Sequence, residues 1–134
     1  MARNAPIVAL VDDDKIFQFT ASKTIKATAI TDTILQFEDG EQALQFLRTN
    51  VGDANSLPDY IFLDINMPYF DGWMFLEDYD SLKTKLPKPI AIYMLSSSID
   101  PRDIDRAKSN VNVKDYVMKP VTLEKFRELL MNAA

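Results

Sequence analysis

Short unbroken apolar runs alternate along the chain with segments whose apolar residues recur every three or four positions. Ile7-Val8-Ala9-Leu10-Val11 is continuously apolar, the pattern of a strand covered on both faces. After Asp12-Asp13-Asp14, the positions Phe17, Thr20, Ala21, Thr24 and Ile25 follow helical spacing and predict a first helix. Thr33 to Phe37 reads as a second strand, Asp39-Gly40 breaks it, and Ala43, Leu44 and Leu47 form the stripe of a second helix. Tyr60-Ile61-Phe62-Leu63 is a third strand, entered from the loop that contains Pro58. Met67-Pro68 belongs to a loop, since proline lacks an N–H and restricts the residue before it. Trp73, Leu76, Tyr79 and Leu82 mark a third helix, and Pro87 and Pro89 a break before the strand Ile90 to Leu95. Asp100-Pro101 is an N-cap and first-turn pair for a helix ending near Ser109. Tyr116-Val117-Met118 is a fifth strand, and Thr122 caps a last helix carrying Leu123, Phe126, Leu129 and Leu130.

Five β-then-α units in strict alternation predict an α/β domain: a doubly wound parallel sheet of five strands, helices on both faces, joined by right-handed crossovers. The chain shows no internal repeat, low-complexity tract or linker, and its 134 residues suit one domain. Hydrophobic residues at 47% and charged ones at 26% are globular proportions, which argues against disorder. The net charge of −5 repels phosphate backbones, so no nucleic-acid partner is expected for this chain alone. No apolar run approaches the roughly 20 residues that span a bilayer, and no secretory h-region is visible; the expectation is a cytoplasmic protein with no membrane partner. Cysteine and histidine are both absent. That excludes disulfides, thiol chemistry, Ser-His triads and imidazole metal ligands, leaving carboxylates, hydroxyls and lysines.

In sheets of this kind ligands bind beyond the carboxyl ends of the strands. The residues there form a set: Asp12 and Asp13 after the first strand, Asp64 at the end of the third, Ser96 after the fourth and Lys119 after the fifth. Singly, each has an ordinary structural role: the acidic pair as helix N-terminal charges, Asp64 as a cap, Ser96 and Lys119 as turn residues. Their convergence on one edge is what suggests chemistry. Three carboxylates gathered within a few ångströms repel by roughly 4 kcal/mol per pair at an effective dielectric near 20, more than one lysine offsets. A hard divalent cation resolves this. Ca²⁺ accepts such ligands, but the small ligand number and the adjacent lysine, suited to a phosphate, favour Mg²⁺.

Val11-Asp12-Asp13-Asp14, Leu63-Asp64-Ile65-Asn66-Met67-Pro68, Asp71-Gly72, Leu95-Ser96-Ser97 and Tyr116-Val117-Met118-Lys119-Pro120 stand in an order and spacing that resembles the receiver domains of two-component response regulators. The resemblance spans about residues 5 to 133 and implies the flavodoxin-like strand order 2-1-3-4-5. It implies that Asp64 is the phosphoacceptor. Asp13 would be the direct Mg²⁺ ligand, Asp12 would act through water, and the Asn66 backbone carbonyl would join the ligand set. Ser96 and Lys119 would contact phosphoryl oxygens, Ser96 and Tyr116 would form the switch, and the Lys119-Pro120 peptide bond would be cis. It further implies a phosphorylated histidine donor, in a sensor histidine kinase or phosphotransfer protein, and a phosphorylation-dependent signalling switch. Asn66 and the missing histidine leave no machinery for rapid turnover, so the expectation is a phosphate store and not an enzyme, with only Mg²⁺-dependent self-phosphorylation and slow self-dephosphorylation. The oligomeric expectation is a monomer or a phosphorylation-dependent dimer.

This sequence departs from the family pattern in places. Ser97 stands where alanine is common, and the segment before Tyr116 lacks the usual glycine, with Asn110 read as supplying a left-handed turn there. Asn66 and Ser98 occupy variable positions that influence phosphate loss. Two rival readings remain. An aspartate-nucleophile phosphatase would need a second aspartate two residues beyond Asp64, where Asn66 sits; a pseudo-receiver would keep the fold without phosphorylation. The chain is expected to be a single receiver domain over residues 1–134 without an output domain, docking through its last two helices and Tyr116. Arg102, Arg106, Lys125 and Arg127 are candidate contacts, against the plainer reading of a solvated charged face.

Overall fold

The computed structural model describes residues 5–97 and 99–132. Ten main elements alternate as expected: β1 (Ile7–Val11), α1 (Lys15–Ala27), β2 (Thr33–Phe37), α2 (Gly40–Thr49), β3 (Tyr60–Asp64), α3 (Gly72–Leu82), β4 (Ala91–Ser96), α4 (Pro101–Ser109), β5 (Val113–Met118) and α5 (Leu123–Asn132). All strand pairs are parallel, and the order is β2-β1-β3-β4-β5. The doubly wound sheet and its implied strand order are therefore both observed.

Two apolar layers sandwich the sheet. Ala9 and Val11 of β1, Ile61 and Leu63 of β3, and Ile92 and Met94 of β4 pack with Leu44, Leu47, Phe75, Leu76 and Ala107 from α2, α3 and α4. The alternate residues Val8, Leu10, Phe62, Tyr93 and Leu95 pack with Ile25 of α1 and Phe126, Leu129 and Leu130 of α5. This two-sided burial is why β1 and β3 read as unbroken apolar runs rather than alternating ones. Phe62 anchors the second layer, stacked on Tyr93 at 5.5 Å and edge-on to Phe126 at 5.2 Å. Truncating a buried phenylalanine of this kind costs about 3–5 kcal/mol.

Side-chain caps set the helix starts. Asp14, Asp39, Asp71 and Asp100 each accept backbone N–H groups at the start of α1, α2, α3 and α4. The Thr122 hydroxyl accepts from the Lys125 N–H at 3.1 Å and caps α5. Asp100 and Thr122 are the caps expected from sequence.

Two local expectations are corrected. The fifth strand begins at Val113, three residues before the predicted start at Tyr116. Its pairing with β4 jumps from Ile92↔Val113 to Tyr93↔Asp115, so Lys114 is an extra residue. The bulge breaks the period-two pattern and brings Val113 and Tyr116 onto the same apolar layer, although they are three residues apart. Asn110 does not adopt a left-handed conformation: its φ and ψ are −82° and 125°. Its side chain accepts the Asn112 N–H at 2.9 Å and its carbonyl the Val113 N–H at 3.1 Å, which turns the chain without positive φ.

Candidate phosphoacceptor site

The carboxyl ends of β1, β3, β4 and β5 form one rim, and the five residues singled out from the sequence lie along it. Asp64 and Ser96 are the last residues of β3 and β4, and both are buried. Asp12 follows β1 directly and is also buried, while Asp13 beside it is exposed. Oxygens of Asp12, Asp13 and Asp64 lie within 4.8 Å of one another. Lys119, just past β5, places Nζ 2.6 Å from Asp12 Oδ2 and 3.3 Å from Asp64 Oδ1. Its backbone N–H donates to the Ser96 carbonyl at 2.9 Å, tying the β5 exit to the β4 exit. The Lys119–Pro120 peptide bond is cis, as the resemblance implied.

The electrostatics follow from this crowding. Burial, then the neighbouring Asp12 charge, push the Asp64 carboxyl up from 3.8 to about 6; Lys119 opposes the shift and Asp13 adds to it. For Lys119, burial works to lower the pKa, but the hydrogen bond to Asp12 and the charges of Asp64 and Asp12 outweigh it and the net shift is upward. One ammonium therefore stays charged between two carboxylates, and a third carboxylate stands open to solvent. An all-oxygen donor set with one exposed member suits a hard divalent cation that keeps some of its water.

The backbone near Asp64 explains how the acid is presented. The Ile65 N–H donates to the Leu95 carbonyl at 3.1 Å, and the Gly72 N–H returns to the Ile65 carbonyl at 2.9 Å. A Cβ at Gly72 would stand 2.8 Å from the Asp64 carbonyl oxygen and 3.1 Å from Ile65 Cα, so only glycine lets α3 start this close to Asp64. Between them, Asn66 is exposed two residues beyond Asp64. Tyr69 takes φ of 67°, closed by a 2.7 Å bond from the Phe70 N–H to the Pro68 carbonyl, and its side chain is wholly exposed. Left-handed φ in a bulky residue costs about 1 kcal/mol or more, and nothing in the apolar pattern announces it. Tyr116 is half-buried against the α2–α4 layer, in register with Met94 and two residues short of the pairing Ser96↔Met118. Ser98 lies outside the described residues.

Sequence reasoning missed two contributors. Gln18, buried on α1, aims its amide nitrogen at the carbonyls of Leu10, Asp12 and Phe37 at 3.2, 3.1 and 3.0 Å, pinning the exits of β1 and β2 to the helix. A glutamine within an otherwise apolar helical face was the available signal. Phe17 lies with its ring centroid 4.3 Å from Lys119 Nζ. Of the four basic docking candidates, three are engaged within the chain: Arg102 pairs with Asp100 at 2.9 Å, Arg106 lies over Trp73 at 4.1 Å, and Lys125 pairs with Glu128 at 2.9 Å. Arg127 is exposed.

A cleft of ≈ 840 Å³ is at the opposite, amino-terminal ends of the strands, with Asp59, Tyr60 and Lys88 in its lining. On the carboxylate side a smaller depression of ≈ 320 Å³ beside Asp12 is lined by Lys15, Gln18, Phe19 and Glu38. No helix among the described residues is long and apolar enough to cross a membrane.

Comparisons with known proteins agree with this geometry. Residues 8–131 match the response regulator receiver domain family. A two-component response regulator of Oryza sativa subsp. japonica is 31% identical, the alignment covering 97% of this chain and 95% of the relative. The crystal structure of a two-component response regulator from Cytophaga hutchinsonii superposes with a TM-score of 0.84 at 30% identity, covering 97% of this chain and 99% of that one. A response regulator receiver protein from Dyadobacter fermentans gives 0.80 at 31% identity, covering 92% and 93%. With its 2-1-3-4-5 sheet and its carboxylates and lysine at the strand exits, the chain belongs to the response regulator receiver domain family of two-component systems.

Proposed function

We propose that this chain is a phosphorylation-dependent switch in which Asp64 accepts a phosphoryl group from a phosphohistidine of a sensor kinase or phosphotransfer protein. The observation that carries this reading is the Lys119 ammonium set between Asp12 and the buried acceptor Asp64, with Asp13 beside them and open to solvent. Since the chain has no histidine, the donor imidazole comes from another molecule.

A carboxylate oxygen of Asp64 attacks phosphorus in line, forming a P–O bond as the P–N bond to histidine breaks and the imidazole departs. Lys119 neutralises charge on a phosphoryl oxygen, and the Ser96 hydroxyl donates to another. Asp12, Asp13, Asp64 and the Asn66 carbonyl would hold Mg²⁺, which supplies neutralisation of the carboxylates and of charge on the transferred group. A phosphoryl group that draws Ser96 inward vacates space beside β4, and Tyr116, on the neighbouring strand, moves to fill it. The phosphorylated population then shifts toward the conformer that makes those contacts.

The chain acts as a stoichiometric phosphate store rather than a turnover enzyme, since Asn66 replaces the second aspartate a phosphatase of this type would use. Incubation with acetyl phosphate and Mg²⁺ tests both points. The intact mass should rise by one phosphoryl group in the wild type and stay unchanged in Asp64→Asn. No gain in the wild type, with a donor proven on another receiver, overturns the proposal; sustained multiple turnover of phosphate esters would replace it with the phosphatase reading.

A further inference from the structure

Phe17 enters the sequence pattern only as an apolar position of the first helix, yet its ring faces the ammonium on which the site depends. The geometry points to Phe17 as a positioning residue that holds Lys119 toward the phosphoryl site by a cation–π contact, an inference that rests on Asp64 being the acceptor.

Lysine carries its charge on a flexible four-carbon stem with three rotatable donors. Two carboxylates constrain Nζ here, at 2.6 Å and 3.3 Å. Both lie on the strand-exit side, and alone they would leave the ammonium free to pivot toward water. The Phe17 centroid, 4.3 Å from Nζ, supplies a further, non-ionic contact. Only 17% of the Lys119 side chain remains exposed, so the contact is largely desolvated, the condition in which attraction to a ring face is strongest.

Phe17 is itself well held. Its backbone N–H donates to Asp14 Oδ1 at 3.1 Å in the cap of α1, and its side chain packs against the layer formed by Val8, Leu10 and Phe126. The ring therefore does not have to be ordered when phosphate arrives. During transfer Lys119 must exchange part of its carboxylate contact for a phosphoryl oxygen. A ring that attracts the cation but offers no competing acceptor permits that exchange while restraining escape to solvent. Leucine would keep much of the packing without attracting the ammonium; tyrosine would keep the ring face.

The test compares Phe17→Leu, Phe17→Tyr, Lys119→Ala and the Phe17→Leu/Lys119→Ala double variant. The readouts are the maximal rate constant of phosphorylation by acetyl phosphate with saturating Mg²⁺ and the half-saturating donor concentration. A third readout, needing neither metal nor activity, is the NMR shift of the Lys119 ε-methylene protons. Phe17→Leu should lower the maximal rate about three- to tenfold, leave half-saturation unchanged and abolish an upfield ring-current shift seen in the wild type. Phe17→Tyr should restore both rate and shift, and Phe17→Leu should have no effect once Lys119 is alanine. An undiminished rate in Phe17→Leu, an equal loss in the Lys119→Ala background, or a tyrosine variant as slow as leucine would overturn the inference. Failure of the wild type to take phosphate would instead sink the acceptor reading, and the ring-current shift would still decide whether Phe17 holds Lys119.

Discussion

Metal-free protein should become more stable as pH falls through 6, because ionised Asp64 is a burden on the fold. Its carboxyl stands at about 6 in the folded chain against an ordinary 3.8. Between those values the native state holds a proton that the unfolded chain releases, so stability rises as pH falls through the window and is lost as pH rises. The full shift corresponds to about 3 kcal/mol, of which about 1.4 kcal/mol should appear between about pH 7.5 and pH 5. Asp64→Asn removes the titration and nearly preserves shape. Urea unfolding of both proteins in a chelator, at the two pH values, isolates Asp64 because other groups cancel in the difference. The variant should be the more stable near pH 7.5, by up to about 3 kcal/mol, and its advantage should shrink by about 1.4 kcal/mol at pH 5. An advantage that stays constant or grows on acidification would refute the crowding argument.

The same reasoning makes Asp13→Ala a loss of metal affinity without a loss of fold: calorimetric titration should show no Mg²⁺ binding, while the metal-free melting temperature stays level or rises. A clearly lower metal-free melting temperature would count against the repulsive cluster. Gly72→Ala drives a methyl against the Asp64 carbonyl oxygen at 2.8 Å, so urea titration should show a net loss of about 1–2 kcal/mol after the helix-propensity gain of alanine, with slower phosphoryl uptake. Gly52→Ala, with nothing within 4 Å, is the control and should lie within about 0.5 kcal/mol of the wild type. Asp14→Ala removes the acceptor for the Ile16 and Phe17 N–H groups and should cost about 1 kcal/mol in thermal or urea unfolding. No measurable loss would mean that solvent caps α1 equally well.

Much of the architecture is written in local patterns. Ile7–Val11 and Tyr60–Asp64 are strands buried on both faces, so their continuous apolar runs state both the element and its central place. Because parallel strands all exit on the same edge, chain order alone gathers the residues after them into one candidate site. β5 was legible only in its second half. The bulge at Lys114 shifts the side-chain parity, and a period-two reading cannot register a residue that has no partner. The positive φ of Tyr69 was equally hidden, since its cause is the tight path from Asp64 to Gly72 rather than a turn-forming residue.

By itself, then, the sequence determined the alternation of elements, the parallel sheet and the five residues at its carboxyl edge, because periodicity and chain order are local properties. The tertiary structure decided how those residues divide the charge between them. Lys119 sits closer to Asp12 than to Asp64, the former across 107 positions of sequence. Asp64 is buried where Asp13 is exposed, and an aromatic ring from α1 lies against the ammonium. Such distances depend on how helix α1, two strand ends and one loop pack together, and no local pattern encodes that packing.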